Sequence, residues 1–301
     1  MINGIINIKK EKGFTSHDVV AKMRGILRQK KIGHTGTLDP DATGVLPVCL
    51  GKATKLCDVI ADWDKTYETV LLLGKETDTE DISGTILKES EVTVKEEDIE
   101  DIIMSFIGDY QQVPPMYSAK KVKGKKLYEL AREGVVIERK PCPVHISSIV
   151  IKEISLPYIR FEVSCSKGTY IRSLCRDIGE KAGCGGCMAS LVRIRVSSFH
   201  IEDAITLREL EEIRDKDELT ICIKPIDTVF SEYPSVTVTK KAEKLLYNGN
   251  KLPIAQCQMD SRKNADRFYR VYDTEGHFIG IFQKEAQQEM LKPYKLFFDL
   301  P

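Results

Sequence analysis

The chain has 301 residues with 45 basic and 45 acidic side chains, so its net charge is zero; 42% of residues are hydrophobic and 30% charged. That balance excludes a disordered chain, and no apolar run approaches the ~18 residues that a membrane-spanning helix needs. The length suits one large domain and a small one. Nine cysteines, an odd count without a repeating framework, and an opening MINGIINIKKEKG that lacks the apolar core of a secretory signal both point to a cytoplasmic protein with reduced thiols. Neutrality hides two opposed patches: residues 119–132 hold six basic groups and one acid, and residues 75–101 hold eleven acids and three lysines.

Taken in chain order, Ser16 is in place to cap a helix whose apolar positions Val19, Val20, Met23, Ile26 and Leu27 recur at helical spacing and stop before Gly33. TYETVLLLG, 66–74, reads as a strand, being short, β-branched and closed by glycine. Thr93 and Glu96 stand at capping-box spacing before Ile99, Ile102, Ile103 and Phe106, with Gly108 as the stop. VHISSIVIKEI and IRFEVSCS read as strands. A helix carrying Tyr170, Leu174 and Ile178 on one face follows, ended by Gly183, and then a strand over LVRIRVSSF (191–199). Thr206 with Glu209 caps another short helix. Beyond DTVFSEYPS the pattern shifts to one helix, TKKAEKLLYNG, and a hairpin, FYRVYDTEGHFIGIFQ. The domain boundary is therefore expected near residue 230, with an α+β domain rich in antiparallel pairing before it and a small, mostly β domain after it.

Two stretches carry the chemistry. KIGHTGTLDPDATGVLPVCLGKATK (31–55) crowds glycines, prolines and threonines around Asp39 while threading Leu38, Val45, Leu46 and Val48 between them. Pro40 biases Asp39 to extended backbone, and such a loop can aim a carboxylate while its apolar neighbours exclude water. A carboxylate so placed needs a cation or donors; on this loop alone, a turn aspartate bonding nearby amides is the more ordinary explanation. The second stretch, CSKGTYIRSLCRDIG (165–179), puts Arg172 in the first turn of a helix, where the dipole disfavours a cation. An anion from elsewhere in the chain, Asp39, is the expected partner. Cys184-Gly-Gly-Cys187 does not read as a zinc or redox site, because it has no second pair and follows a helix end instead of opening one.

The blocks GIINIKKEKGFTSHDVV, GHTGTLDPDATGVLPVCLGKATK, DKTYETVLLLGKETDTEDISG, PPMYSAKKVKGKKLYELAREG, CSKGTYIRSLCRDIGEKAGCGG and LVRIRVSSF resemble, in order and spacing, the bacterial tRNA pseudouridine-55 synthases (TruB type). The resemblance spans residues 4 to about 200; Glu11 stands where many relatives have proline after the lysine matching Lys10. It implies a pseudouridine-synthase catalytic domain over 1–230, with a mixed, largely antiparallel central sheet flanked by helices. It also implies a basic RNA-clamping insertion at about 110–145 and a small PUA-like RNA-binding domain over 231–301.

By the same resemblance the protein isomerises uridine 55 in the T-arm of tRNA to pseudouridine after flipping the base out, with no metal or cofactor. Asp39 is then the catalytic carboxylate, Arg172 its partner, and Tyr67 an active-site ring better suited to stacking than to proton transfer. His34 fills the space the base vacates, Tyr170 and Leu191 line the uridine pocket, Asp81 stands near the arginine, and Lys10 and Lys121 face the RNA, the latter with Tyr128. Nothing demands more than a monomer. The rival readings are a guide-RNA-dependent synthase on the same catalytic domain and a non-catalytic tRNA-binding or folding helper.

Overall fold

In a computed structural model that describes residues 1–122, 124–259, 267–285 and 288–298, a nine-stranded sheet forms the body of the protein. Its strands run in the order Gly4–Lys10, Thr43–Leu50, Gly186–Val196, Lys65–Leu73, Tyr158–Cys165, Cys142–Ser155 and Gly108–Gln112. Ile32–His34 is added beside Thr43–Leu50, and Phe199–His200 beside Gly186–Val196. Neighbours are antiparallel except Thr43–Leu50 and Gly186–Val196, which run parallel with Arg193 opposite Gly44. The mixed, largely antiparallel sheet is as expected.

Alternation along the strands decides what covers each face. Tyr67, Leu71 and Leu73 join Ile159, Phe161 and Val163 under the helices Ile171–Lys181 and Glu96–Met104. At the other end of the sheet, Ile6, Ile8, Leu46 and Val48 pack beneath the helices Ser16–Ile26 and Leu207–Asp215. On the opposite side of those strands, Ile5, Val45 and Cys49 meet Phe230, Ile281 and Phe297. The last two belong to the C-terminal β domain, whose six-stranded sheet covers Ser235–Val238 through Met290–Leu296 and includes the hairpin of Phe268–Tyr272 with Phe278–Lys284. The two sheets therefore share one apolar seam.

Several local signals are used differently from their sequence reading. Thr15, not Ser16, caps the first helix, in a capping box with Asp18. Ser16 is freed for another task, accepting the Leu38 amide at 2.9 Å. Lys95 stands at the cap of the helix at Glu96, and no side chain bonds there; Glu96, Glu97 and Asp98 in its first turn compensate through the dipole. Tyr170 caps its helix from outside instead of lying on its face. Gly108 opens a strand, and TKKAEKLLYNG is helical only over Glu243–Tyr247. The capping box of Thr206 and Glu209 forms as expected. Lys123 in the basic run, and residues 260–266, 286–287 and 299–301 of the C-terminal domain, lie outside the described residues.

Gly44 marks the closest approach in the parallel pair. Its φ is +103°, and a Cβ there would lie 2.2 Å from the Arg193 carbonyl oxygen. Gly44→Ala is expected to destabilise the protein by at least about 2 kcal/mol in denaturant unfolding, since both strain and backbone collision oppose it.

Candidate active site

The loop from Thr35 to Ala42 leaves the short strand Ile32–His34 and returns as Thr43–Leu50. Its polar backbone is fastened from several sides. Both the amide and the hydroxyl of Thr35 donate to the Pro47 carbonyl, at 3.2 and 3.0 Å. The Leu38 amide donates to Ser16 Oγ, and the Ala42 amide to the Asp39 carbonyl at 3.1 Å. Lys10, only 1% exposed, sends its ammonium to the carbonyls of Ala42 at 2.5 Å, Pro40 at 3.1 Å and Glu11 at 3.2 Å. Burial pulls the Lys10 pKa down to about 8, against the attraction of Asp39 and Asp41. Leu38 and Ala42 meanwhile sink into the core around Tyr67.

What this rigid loop presents outward is the Asp39 carboxylate. Its Oδ2 lies 3.0 Å from Arg172 Nη2; the Arg172 side chain is 7% exposed and that of Asp39 is 43% exposed. A buried cation thus holds an anion that an incoming molecule can reach. The Arg172 guanidinium also donates to the carbonyls of Thr79 at 3.1 Å and Tyr117 at 2.8 Å, and Asp81 Oδ2 stands 3.9 Å away. Asp81 itself is tied down by Thr79 Oγ1 at 2.8 Å and by the amide and hydroxyl of Ser83 at 3.0 and 2.5 Å.

Tyr67 lies across the strands from Arg193, and its hydroxyl meets that guanidinium. Arg193 is 1% exposed and also donates to the carbonyls of Val45 at 2.7 Å and Gly36 at 3.3 Å. Burial lowers the Arg193 pKa, with Tyr67 opposing, and burial raises that of Tyr67. The phenol therefore stays neutral at physiological pH. Leu191 is partly buried against the same core as Tyr67, Leu38 and Ala42, and completes an apolar floor. His34 sets its ring edge-on to His17 at 5.0 Å, and burial together with His17 lowers its pKa, leaving a neutral imidazole. Tyr170 is held at the helix start by Gln112, which accepts its amide at 2.8 Å and donates to its carbonyl at 3.0 Å. Gln112 and Tyr170 also line a cavity with Lys120, Val144 and Lys167 on the insertion side of the site.

Asp39, Arg172, Asp81, Tyr67 and Leu191 thus converge, while Lys121 stands apart on the exposed hairpin of Lys121–Val122 with Lys125–Lys126. Lys10 faces the loop backbone, not solvent. Two residues escaped the sequence reading. Arg193 sits in LVRIRV, where alternation makes it look like the outer face of a strand. Glu80 sits in the acidic run of 75–101, where one carboxylate looks like the next, yet it is 7% exposed. The positive φ of 63° at Glu80 is a turn feature with no side-chain signature.

Two solved structures share this fold over 98% of the chain and 85% of theirs. One is from an H/ACA RNP bound to a substrate RNA containing 2′-deoxyuridine, with a TM-score of 0.72 and 25% identity; the other is from a Cbf5–Nop10–Gar1 complex, with 0.73 and 26%. The architecture is therefore the pseudouridine-synthase fold. Residues 24–171 match the profile of the TruB family pseudouridylate synthase N-terminal domain, and residues 172–231 match the tRNA pseudouridylate synthase B C-terminal domain. Curated relatives named tRNA pseudouridine synthase B include one from Lachnoclostridium phytofermentans, 52% identical over 98% of this chain and all of its own length. Another, from Clostridium kluyveri, is 47% identical over 97% of this chain and 99% of its own. The chain belongs to the TruB family of pseudouridylate synthases.

Tyr67→Phe keeps the ring but leaves the buried Arg193 guanidinium short of an acceptor. It is expected to lower unfolding stability by about 1–3 kcal/mol, the cost of an unsatisfied buried donor, as measured by denaturant titration.

Proposed function

We propose that the protein isomerises uridine 55 in the T-arm of tRNA to pseudouridine, without a guide RNA, metal or cofactor, acting as a monomer in the cytoplasm. The observation that carries this reading is the Asp39–Arg172 pair at 3.0 Å, with its carboxylate open to solvent above the floor of Tyr67, Leu38 and Leu191. The relatives named tRNA pseudouridine synthase B, at 52% and 47% identity, favour tRNA as substrate and a chain acting alone over an assembly such as the H/ACA RNP of the more distant structural neighbours.

In the reaction, the bond from C1′ to N1 of the uracil breaks, the base turns, C1′ bonds to C5, and the C5 proton is lost while N1 gains one. The carboxylate of Asp39 serves attack at C1′, addition at C6 or removal of the 2′ proton equally. Arg172 holds that carboxylate in place at no cost of reorganisation. Tyr67 stacks along the uracil, and its neutral phenol, already engaged by Arg193, is unsuited to accept a proton. Flipping the nucleotide costs roughly a few kcal/mol, and in this reading the neutral His34 ring fills the vacated stack. Tyr170 and Leu191 bound the pocket, and Asp81 and Lys10 hold the arginine and the loop in place.

Charge supports the choice of RNA. Lys121 and Lys126 face each other across the hairpin, a like-charge pairing that disfavours the hairpin in isolation. Phosphates from a backbone would relieve it. The double substitution Lys121→Ala, Lys126→Ala is expected to reduce the slope of log affinity against log salt for T-arm RNA by about 2, measured by filter binding.

The central test is tritium release from 5-labelled uridine in a T-arm stem-loop, with purified protein and no added RNA. Wild type is expected to turn over, whereas Asp39→Asn should lose about 10⁴-fold or more in rate, as loss of a catalytic carboxylate does, and keep its RNA affinity. Dependence of wild-type turnover on a small RNA would instead point to the guided reading.

A further inference from the structure

The segment Gln112 to Tyr117, which leads into the basic insertion, is held against one face of the helix Ile171–Lys181. Gln112 makes its two bonds to Tyr170, Arg172 donates to the Tyr117 carbonyl at 2.8 Å, and Arg176 Nη2 donates to the Val113 carbonyl at 3.2 Å. Arg139, returning from the far side of the insertion, donates to the Pro114 carbonyl at 2.8 Å. Three guanidinium groups therefore converge on the root of the insertion. A cluster of that kind needs anions: Asp177 takes Arg176 Nε and Nη2 at 2.8 and 2.6 Å, and Glu80 supplies a second from the turn after Lys75–Thr77. Its Oε1 pairs with Arg176 Nη1, and its Oε2 accepts Ser173 Oγ at 2.6 Å. It also attracts Arg139, whose Nε is buried without a partner. The backbone of the same turn is docked on the sheet, with the Met188 amide donating to the Glu80 carbonyl at 3.0 Å and the Ile82 amide to the Met188 carbonyl at 3.0 Å. Its Thr79 carbonyl is the one that receives Arg172.

We propose that Glu80 is a positioning residue for the reaction: through Arg176 it seats the root of the basic insertion on the helix that carries Arg172, so that engagement of RNA by the insertion and placement of Arg172 beside Asp39 form one mechanical unit. This rests on the functional reading given above. Arg172 and Arg176 are one helical turn apart, and their outer nitrogens bond carbonyls four residues apart in the same segment, so displacing one contact tilts the other. The carboxylate of Glu80 itself touches no part of the Asp39 pair.

The test compares wild type, Glu80→Gln and Glu80→Ala by single-turnover rate, KM for tRNA and hydrogen exchange over residues 112–132. Glu80→Ala is expected to slow the chemical step about 10–100-fold, in keeping with a misplaced catalytic group, with KM changed less than about threefold, and to speed exchange in the segment about tenfold or more. Glu80→Gln, which keeps one acceptor oxygen for Arg176 but removes the charge and turns an amide NH2 toward Ser173, should fall between and serves if the alanine variant does not fold. A wild-type rate in the folded variants, or a slowed rate with unchanged exchange in 112–132, would overturn the proposal. If wild type itself makes no pseudouridine in tRNA, the functional reading fails instead, and the exchange data still report whether Glu80 seats the insertion.

Discussion

The structure is organised around the desolvated guanidinium of Arg172. Taking such a cation out of water costs several kcal/mol unless charge and hydrogen bonds replace the lost hydration. Its helix cannot help, because the N-terminal dipole repels a cation. Compensation comes from three remote places: the Asp39 carboxylate, the Tyr117 carbonyl, and the turn that brings the Thr79 carbonyl and the Asp81 carboxylate. One buried charge thereby brings together the Asp39 loop, the acidic turn and the segment that ends at Tyr117. Because Arg172 is buried and Asp39 is not, the pair is asymmetric, and its open half faces the incoming nucleotide in the proposed reaction.

A second set of cations works from beneath. Lys10 and Arg193 donate to backbone carbonyls of the same loop, at Pro40, Ala42 and Gly36, and of the strand that follows it, at Val45. Carbonyl oxygens thus take up the inner cations, while the carboxylate of Asp39 is left to Arg172. With Ser16 holding the Leu38 amide, the loop has little freedom to reorganise. That is the condition under which a fixed charge stabilises a transition state most effectively. The shared seam with the C-terminal β domain, through Val45 and Cys49, braces the strand on which the loop ends.

Much of this was legible before any coordinates. The β-branched, glycine-closed run TYETVLLLG and the run IRFEVSCS were read correctly as strands, the capping box at Thr206 formed, and residue chemistry alone suggested Asp39 as the anion for Arg172. The misreadings share a physical origin. Ser16 and Thr15 are both competent caps, and only the position of Leu38, contributed from elsewhere in the chain, decides that Ser16 is used to hold an amide. Thr93 has the right spacing, but the helix begins later because acidic residues serve its first turn. Arg193 alternates like an outward strand residue; it is inward because the carbonyls of Val45 and Gly36 accept its guanidinium and Tyr67 stands opposite it across the sheet. Glu80 resembles its acidic neighbours and is buried only because Arg176 and Ser173 arrive over it.

What the amino-acid order determined by itself was everything governed by neighbours within a few residues: strand alternation, helix periodicity, the stiffness of the LDPDATG loop, and the presence of an acid and an arginine each in need of a partner. Only the tertiary structure decided which carboxylate meets which guanidinium, that Lys10 and Arg193 serve backbone and not solvent, and that the segment Gln112 to Tyr117 is held on the helix that carries Arg172. The reason is range. Periodicity and turn chemistry act within a helical turn or a strand repeat, whereas the energy of a buried charge is set by whatever surrounds it in space. For Arg172 those surroundings come from residues 39, 79, 81 and 117, which no local pattern connects.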